Sequence, residues 1–478
     1  MKFRTKEKTT KTENFAGGEA FAESQKLELI SLVLTSFAND KYYESSKDQL
    51  SRLKELVEKS KDDQFTAKTA IYARTEFGMR SITHALIAEL AKKVKGTEWL
   101  KNAIKKAYYR PDDGLEIISY YLSKYGKPIP NSLKKGLALG LKNFSEYQLA
   151  KYRGANSNVK LVDLFNLTHA KPSNKNSDAV SKLMKNELRS TGKNVTWESK
   201  LTQTGQNAKD DEEKIEMKKN AWKELILEKK LGYFSLLRNL RNIMHQSPEV
   251  LDETLKQLVD TKAIKKSLVL PFRFATAMNE ITKESGSTKI ISALSKAADI
   301  SLSNVPIFSG KTLIILDTSG SMIGKPREIG NLFAAALAKS NDADLIIFSD
   351  HAKYENINPA DSLLTIAKGI TFFNSGTNFN RPFEIANKKY DRIILLSDMQ
   401  GWMGYNAPTR AYNEYKKRTG ANPHIYSFDL NGYGTLSFPE KQIYCIAGFS
   451  EKIFDIIKIL EEDRNALIHK IDSINLEY

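Results

Sequence analysis

A chain of 478 residues, 41% hydrophobic and 27% charged, exceeds what one hydrophobic core organises, so it predicts two domains, or one domain plus a repeat array, with little room for a long disordered arm. No apolar run approaches the roughly eighteen residues of a membrane-spanning helix, and the start MKFRTKEKTTKTENFAGG lacks the apolar centre of a secretory signal, which points away from membranes and toward the cytoplasm. The net charge of +16 is one-sided: the first 300 residues hold 54 Lys and Arg against 37 Asp and Glu, whereas residues 301–478 hold 19 against 20. A field confined to one part of the chain suits a polyanion such as nucleic acid. The plainer reading is a well-solvated basic surface.

From residue 19 to 300 apolar residues recur at helical spacing. The stretches EAFAESQKLELISLVLTSF, QFTAKTAIYARTEF, SITHALIAELAKKV, PNSLKKGLALGLKNF, VKLVDLFNLT and LPFRFATAMNEITKE are each expected as helices. In LGYFSLLRNLRNIMH, Leu236, Leu237, Leu240, Ile243 and Met244 form one stripe and Arg238 and Arg241 another. Breaks carrying Gly, Pro or Asn fall at Gly126–Pro130 and Pro172–Asn176, and TQTGQNAKDDEEK, 202–214, reads as a surface loop. Many short helices without heptads predict stacked pairs of the HEAT or armadillo kind. Between Lys101 and Arg153 basic and aromatic residues interleave, among them Lys105, Lys106, Tyr108, Tyr109, Arg110, Tyr120, Tyr121, Lys124, Tyr125, Lys127, Lys134, Lys135, Tyr147, Lys151, Tyr152 and Arg153. Cations hold phosphates and aromatic faces stack unpaired bases, although helix-packing tyrosines with solvated lysines would give the same pattern.

After Pro306 the pattern changes. KTLIILD, ADLIIFS, YDRIILLSD and HIYSFDL are short runs of branched and aromatic residues, separated by helical stretches such as PREIGNLFAAALAK and RPFEIANKKY. They predict strands buried on both faces of a parallel, doubly wound α/β domain whose ligand site lies at the carboxyl ends of the strands. The single cysteine, Cys445 in KQIYCIAG, reads as a buried strand residue in a reducing compartment.

The first of these strands ends in DTSGSM, 317–322, which presents a carboxylate and two hydroxyls in one direction. Oxygen donors of this kind suit a hard cation, while a helix N-cap is the plain alternative. Thr377, in SGTNF before a helix expected near Asn380, and Asp398, at the end of RIILLSD, would bring further oxygens to the same crevice. Together they resemble the metal-ion-dependent adhesion site of von Willebrand A domains. The resemblance implies Asp317, Ser319, Ser321, Thr377 and Asp398 as ligands of a divalent ion, Mg²⁺ first with Mn²⁺ or Ca²⁺ as alternatives, and an open position for a partner's carboxylate.

The phrases NFAGGEAF (14–21), ITHALIAELA (82–91), LVDLFNLTHAKP (161–172), VTWESKLTQTG (195–205), LGYFSLLRNLRNI (231–243) and LPFRFATAMNEI (270–281), ahead of such an A domain, make nearly the whole chain resemble the TROVE family of Ro-type proteins. The resemblance implies a HEAT-like helical ring over 1–300 closed by a von Willebrand A domain over 305–478. It further implies binding of small noncoding Y-like RNAs and of single-stranded ends of structured or misfolded RNAs, with an exoribonuclease or another protein as a further partner. Carried over by position, Lys151, Arg153, His169 and Lys171 fall in the segment that binds Y RNA, and Lys134, Lys135, Arg238, Arg241 and His84 are further candidates for the ring's hole. The chain departs from the family pattern between Gly154 and Val159. An RNA scaffold without catalysis is the expected function and a metal-dependent adhesion module the alternative; a hydrolase would need paired metals and a general base that Asp317 and Asp398 do not supply.

Overall fold

The computed structural model describes residues 11–14, 16–35, 46–94, 96–153, 158–188, 197, 200, 201, 204, 210–267, 269, 271–305, 307–404, 408–433, 435–438, 444–447 and 466–477. In its first part, helices Gln25–Thr35, Asp63–Thr75, Glu98–Ala107 and Asn131–Leu141 pack in succession as one layer. Helices Ser46–Lys59, Ser81–Lys93, Pro111–Tyr125 and Leu161–Thr168 form the second. Up to Asn131–Leu141 each helix meets the next but one, as helical pairs stacked side by side require, and Leu161–Thr168 then packs on both Pro111–Tyr125 and Asn131–Leu141. Local signals set the ends: Asp62 accepts from the Phe65 amide at 2.9 Å, and Ser145 and Gln148 form a reciprocal capping box that satisfies backbone donors left open at a helix start.

The array continues through Asp211–Leu227, Leu240–Gln246, Pro271–Ile281 and Thr288–Ser301. Trp197 and Lys200 meet helix Asp211–Leu227, the Trp197 and Trp222 rings lying 6.3 Å apart and Lys200 pairing with Glu224. Three expectations need correction here. The run 202–214 is not all loop, because Asp210 caps a helix whose first turn is Asp211–Lys214; acidic residues there complement the helix dipole. The stripe in LGYFSLLRNLRNIMH spans two short helices, Tyr233–Arg238 and Leu240–Gln246. The Asn239 side chain bonds back to the Ser235 carbonyl at 2.8 Å at the break, competing with the helix ladder. The first expected helix begins as a strand, Glu19–Ala22, and turns helical only at Gln25.

The C-terminal domain is built on a six-stranded sheet. With β1 (Lys11–Glu13) and β2 (Glu19–Ala22) preceding the array, its strands are β3 (Thr312–Asp317), β4 (Asp344–Phe348), β5 (Ala352–Glu355), β6 (Arg392–Ser397), β7 (His424–Asp429) and β9 (Tyr444–Ala447), in the order β5-β4-β3-β6-β7-β9. All pairs are parallel except β4–β5. β5, sequence AKYE, is a half-exposed edge strand with no apolar run to announce it. β9 places Cys445 opposite Ser427. Side chains alternate between two cores. Ile314, Leu316, Ile347, Leu396 and Phe428 join the large core shared with the helical array, and Leu313, Ile315, Phe348, Ile393 and Leu395 face a second core with Phe383, Tyr412 and Tyr415. Both faces are thus covered, as parallel sheets demand.

Both ends of the helical array meet this domain, and that closes the ring. At the far end Pro271–Ile281 and Thr288–Ser301 pack on helices Lys325–Asn341 and Leu363–Gly369. There Asp299 accepts from the Leu363 amide at 2.9 Å and from Lys339 at 3.1 Å. At the near end Thr35 Oγ1 donates to the Asn431 carbonyl at 3.0 Å, and Arg52 to the Gly432 carbonyl.

Two segments distant in sequence from their partners tie the array and the sheet domain together. β2 pairs with β8 (Thr435–Leu436) of the C-terminal domain, while helix Ala466–Asp472 packs on helix Asp63–Thr75 of the array. Lys26 and Lys68 pair with Asp472, and Lys106 holds the carbonyls of Asn475 and Glu477 at 2.7 and 2.9 Å. No helix among the described residues is long and apolar enough to cross a membrane.

Candidate metal centre and basic face

At the carboxyl edge of the sheet, Asp317 ends β3, Asp398 follows β6, and Thr377 lies in the loop before helix Asn380–Ile385. Asp317, Ser319, Ser321, Thr377 and Asp398 are all buried. Asp317 Oδ1 accepts from the Ser319 amide at 2.9 Å and Oδ2 from the Ser397 hydroxyl at 2.5 Å. The Ser319 and Ser321 hydroxyls are 3.3 Å apart. Asp398 Oδ1 accepts from the Gln400 amide at 3.2 Å, whereas Oδ2 has no partner that meets hydrogen-bond geometry.

Burial pushes the Asp317 carboxyl above its ordinary range, and the Ser319 and Ser397 hydroxyls offset it only in part. Asp398 is pushed up further, first by burial and then by the negative field of Asp317, with Asp429 adding to it. Among the described residues no Lys, Arg or His side chain forms an ion pair with either carboxylate. Two buried carboxylates with one oxygen unsatisfied and hydroxyls beside them form an all-oxygen donor set that lacks only positive charge. The residues therefore fit a hard divalent cation.

The surrounding loops hold this geometry through contacts that sequence reasoning missed. The Thr377 carbonyl accepts from the amides of Trp402 and Met403 at 3.1 and 3.0 Å, so the loop after Asp398 clasps the loop carrying Thr377. That clasp is fastened from the other end of the chain: Asn14 Nδ2 donates to the Gly401 carbonyl at 2.6 Å, and Asn14 Oδ1 accepts from the amides of Ala16 and Gly18. A Cβ at Gly18 would collide with the Gly401 carbonyl oxygen, so glycine is required for this approach. The only signal for Asn14 in the sequence is its place in the phrase NFAGGEAF. Ser397 and Gln400, flanking Asp398, were equally silent.

The candidates on the helical array separate on inspection. His84 is not a surface residue: it is buried, with Nε2 3.1 Å from Asp113 Oδ1. Asp113 also accepts from Arg74 Nε and Nη2 at 3.1 and 2.9 Å, from Arg80 Nε at 3.1 Å, and from the Tyr109 and Arg110 amides. Burial alone would raise this carboxyl, but His84, Arg74 and Arg80 outweigh it and hold the group far below the usual carboxylate range. This lock pins together the helices that carry Arg74, His84 and Asp113, and His84 serves it.

Lys135, His169, Lys171 and Arg238 are exposed, and Lys134 and Lys151 half-buried. His169 terminates its helix in the left-handed conformation, φ 52°. Arg153 is half-buried and donates to the Leu188 carbonyl at 2.8 Å, and Arg241 pairs with Glu284 at 3.0 Å. The interleaved tyrosines divide as well. Tyr108 and Tyr121 are core residues; Tyr120, Lys124 and Tyr125 gather on the buried Glu89; Tyr109 and Tyr147 face solvent.

A helical-repeat ring closed by a von Willebrand A-type domain, with oxygen donors at its sheet edge, defines the class of protein. The TROVE domain model matches residues 22–220 and 193–304, and the chain belongs to that family. It is similar to the RNA-binding protein RO60 of Deinococcus radiodurans, 25% identical over 225 residues, which is 41% of this chain and 42% of that protein's length. The crystal structure of the Deinococcus radiodurans RO (RSR) protein superposes with a TM-score of 0.61 at 16% identity, covering 90% of this chain and 99% of that one, a likeness of fold.

Proposed function

We propose that this chain is a Ro-type RNA-binding scaffold of the cytoplasm. It holds small noncoding Y-like RNAs and the single-stranded ends of structured or misfolded RNAs on its helical array, in RNA quality control or processing, without catalysis of its own. The observation that carries the reading is the charge asymmetry. The excess of 17 positive charges lies in the first 300 residues, the part that the TROVE model matches, while the A-type domain is close to neutral. A field on one body attracts a polyanion there and nowhere else.

Lys151, Arg153, His169 and Lys171 form the proposed contact for Y-like RNA, with Lys134, Lys135, Arg238 and Arg241 as further phosphate contacts. In the crevice, Asp317, Ser319, Ser321, Thr377 and Asp398 hold Mg²⁺, or Mn²⁺ or Ca²⁺ in its place, and the ion supplies a docking point for a partner's carboxylate, an exoribonuclease among the candidate partners. Sequencing the RNA that copurifies with wild type and with a Lys151→Ala/Arg153→Ala/His169→Ala variant tests the reading. Enrichment of discrete small RNAs that the variant loses is expected; random RNA unchanged by the substitutions overturns it.

A second reading, a metal-dependent adhesion module with no specific RNA role, draws on one observation. Ile323, Trp402 and Met403, which follow the two metal loops in sequence, are exposed apolar side chains of the kind that seat a protein partner. It predicts metal-dependent protein association and RNA affinity no greater than that of any equally basic protein.

A further inference from the structure

Two of the interleaved tyrosines, Tyr147 and Tyr152, flank Lys151, and a third, Tyr109, directly precedes Arg110, whose guanidinium covers Tyr152. Tyr109 is 61% exposed and Tyr147 38% exposed. Tyr108, next to Tyr109, packs edge-on against Phe144 with ring centroids 4.9 Å apart, which sets the 108–110 loop beside helix Glu146–Lys151. The Arg110 guanidinium then lies 4.3 Å over the Tyr152 ring. Lys151 Nζ is 5.9 Å from the Tyr147 ring and 5.6 Å from the Tyr152 ring, and Arg74 lies 5.2 Å from the Tyr109 ring.

The scaffold beneath is rigid. The Tyr109 and Arg110 amides are bonded to buried Asp113 at 3.2 and 2.9 Å, and the helix bearing Tyr147 starts in a capping box. Arg110 is held by Asp112 at 3.0 and 2.7 Å and Arg74 by Asp113, so these guanidiniums fix the rings, while the Lys151 ammonium beside Tyr147 and Tyr152 adds positive charge to aromatic faces that can stack bases. A duplex hides its base faces and can use only the charge.

We propose that Tyr109, Tyr147 and Tyr152, with Arg110 and Lys151, form a stacking platform for unpaired bases of an RNA strand, adjoining the phosphate contacts at Lys151 and Arg153. The inference rests on the RNA-binding reading above and adds to it the form of RNA this surface takes: a single strand lies across the rings, with at least two consecutive bases against Tyr109 and Tyr147. Tyr152, half-buried beneath Arg110, completes the floor.

The test is fluorescence anisotropy with the full chain and three labelled ligands of matched phosphate number: single-stranded RNA, the same sequence as a duplex, and an abasic ribose-phosphate strand. Wild type is compared with Tyr109→Ala/Tyr147→Ala and with Tyr109→Phe/Tyr147→Phe, the unfolding temperature of each being recorded. The alanine pair is expected to weaken single-strand binding about tenfold or more, to leave duplex and abasic affinity and the salt slope unchanged, and to be rescued by the phenylalanine pair. Unchanged single-strand affinity in the alanine pair, as a protein-docking role for these rings requires, overturns the platform, and so does an equal loss on all three ligands. Absence of salt-dependent wild-type binding to any of the three overturns the RNA reading itself, so the two failures are distinguishable.

Discussion

Asp113 and the pair Asp317–Asp398 are all buried carboxylates, yet their surroundings are opposite. Asp113 is ringed by Arg74, Arg80 and His84, and its carboxyl is held far below the usual range. Asp317 and Asp398 have hydroxyls and backbone amides, no cationic side chain among the described residues, and carboxyls pushed upward. The first site is electrostatically complete and ties helices together. The second has no countercharge from a side chain among the described residues, which is the property that the proposed metal centre requires. A buried carboxylate therefore reports structure or ligand according to what supplies its countercharge.

The largest expected effect separates the two sites. Asp113→Ala leaves Arg74 buried without its partner and should cost about 3–5 kcal/mol in denaturant unfolding; a loss under about 1 kcal/mol would mean that the lock is ornamental. Asp317→Asn, in contrast, should leave the metal-free protein at least as stable, because it removes a buried carboxyl whose charged form burial disfavours and whose negative field pushes Asp398 up. It should abolish a stabilisation by Mg²⁺ of about 2.7 kcal/mol at a hundredfold excess over Kd, read as the shift of the unfolding transition. A Mg²⁺-dependent shift that survives in the variant contradicts the ligand assignment.

Acid sharpens the same contrast. The folded-state value of Asp113 lies below that of the unfolded chain, about 3.9. Its contribution is therefore full above that pH and is lost as pH falls toward the folded value. Asp113→Asn should flatten the acid limb of stability against pH, and an unaltered limb would show that other carboxylates dominate it. The smallest effect is expected at Asn14. Asn14→Ala removes the bond to Gly401 and should cost about 1 kcal/mol while weakening Mg²⁺ affinity several-fold in calorimetry. Unchanged metal affinity would show that the clasp is structural only.

Much of this was legible in the sequence where signals are local. DTSGSM ends a strand with an apolar run before it, Asp398 follows another such strand and Thr377 precedes a helix start; it is the resemblance to a metal-ion-dependent adhesion site that joins these separate signals into one candidate set. What escaped acts across long separations or lacks a pattern. Asn14 reaches Gly401 from 387 positions away, and β2, β5 and β8 are strands of two to four residues with no run long enough to read.

Helical periodicity identified the array but did not orient it. The run from Lys101 to Arg153 mixes core tyrosines, the Glu89 cluster and solvent-facing rings, because one helix shows apolar and amphipathic side chains to several neighbours at once. His84 is a candidate for the ring's hole only by position, because SITHALIAEL is apolar on nearly every side and the helix is buried along almost its whole length. A histidine in such a setting needs a buried partner, and Asp113 is that partner.

The central claim, that the basic array holds RNA through the surface around Lys151, Arg153 and His169, is tested most directly by the salt dependence of binding. A structured RNA with a single-stranded end is titrated from about 50 to 200 mM salt against wild type and the Lys151→Ala/Arg153→Ala/His169→Ala variant. The slope of log K against log salt should be smaller in magnitude by about 2 in the variant, one unit for each permanently charged contact removed, with affinity lower by about tenfold or more. Identical slopes and affinities for the two proteins would contradict the account.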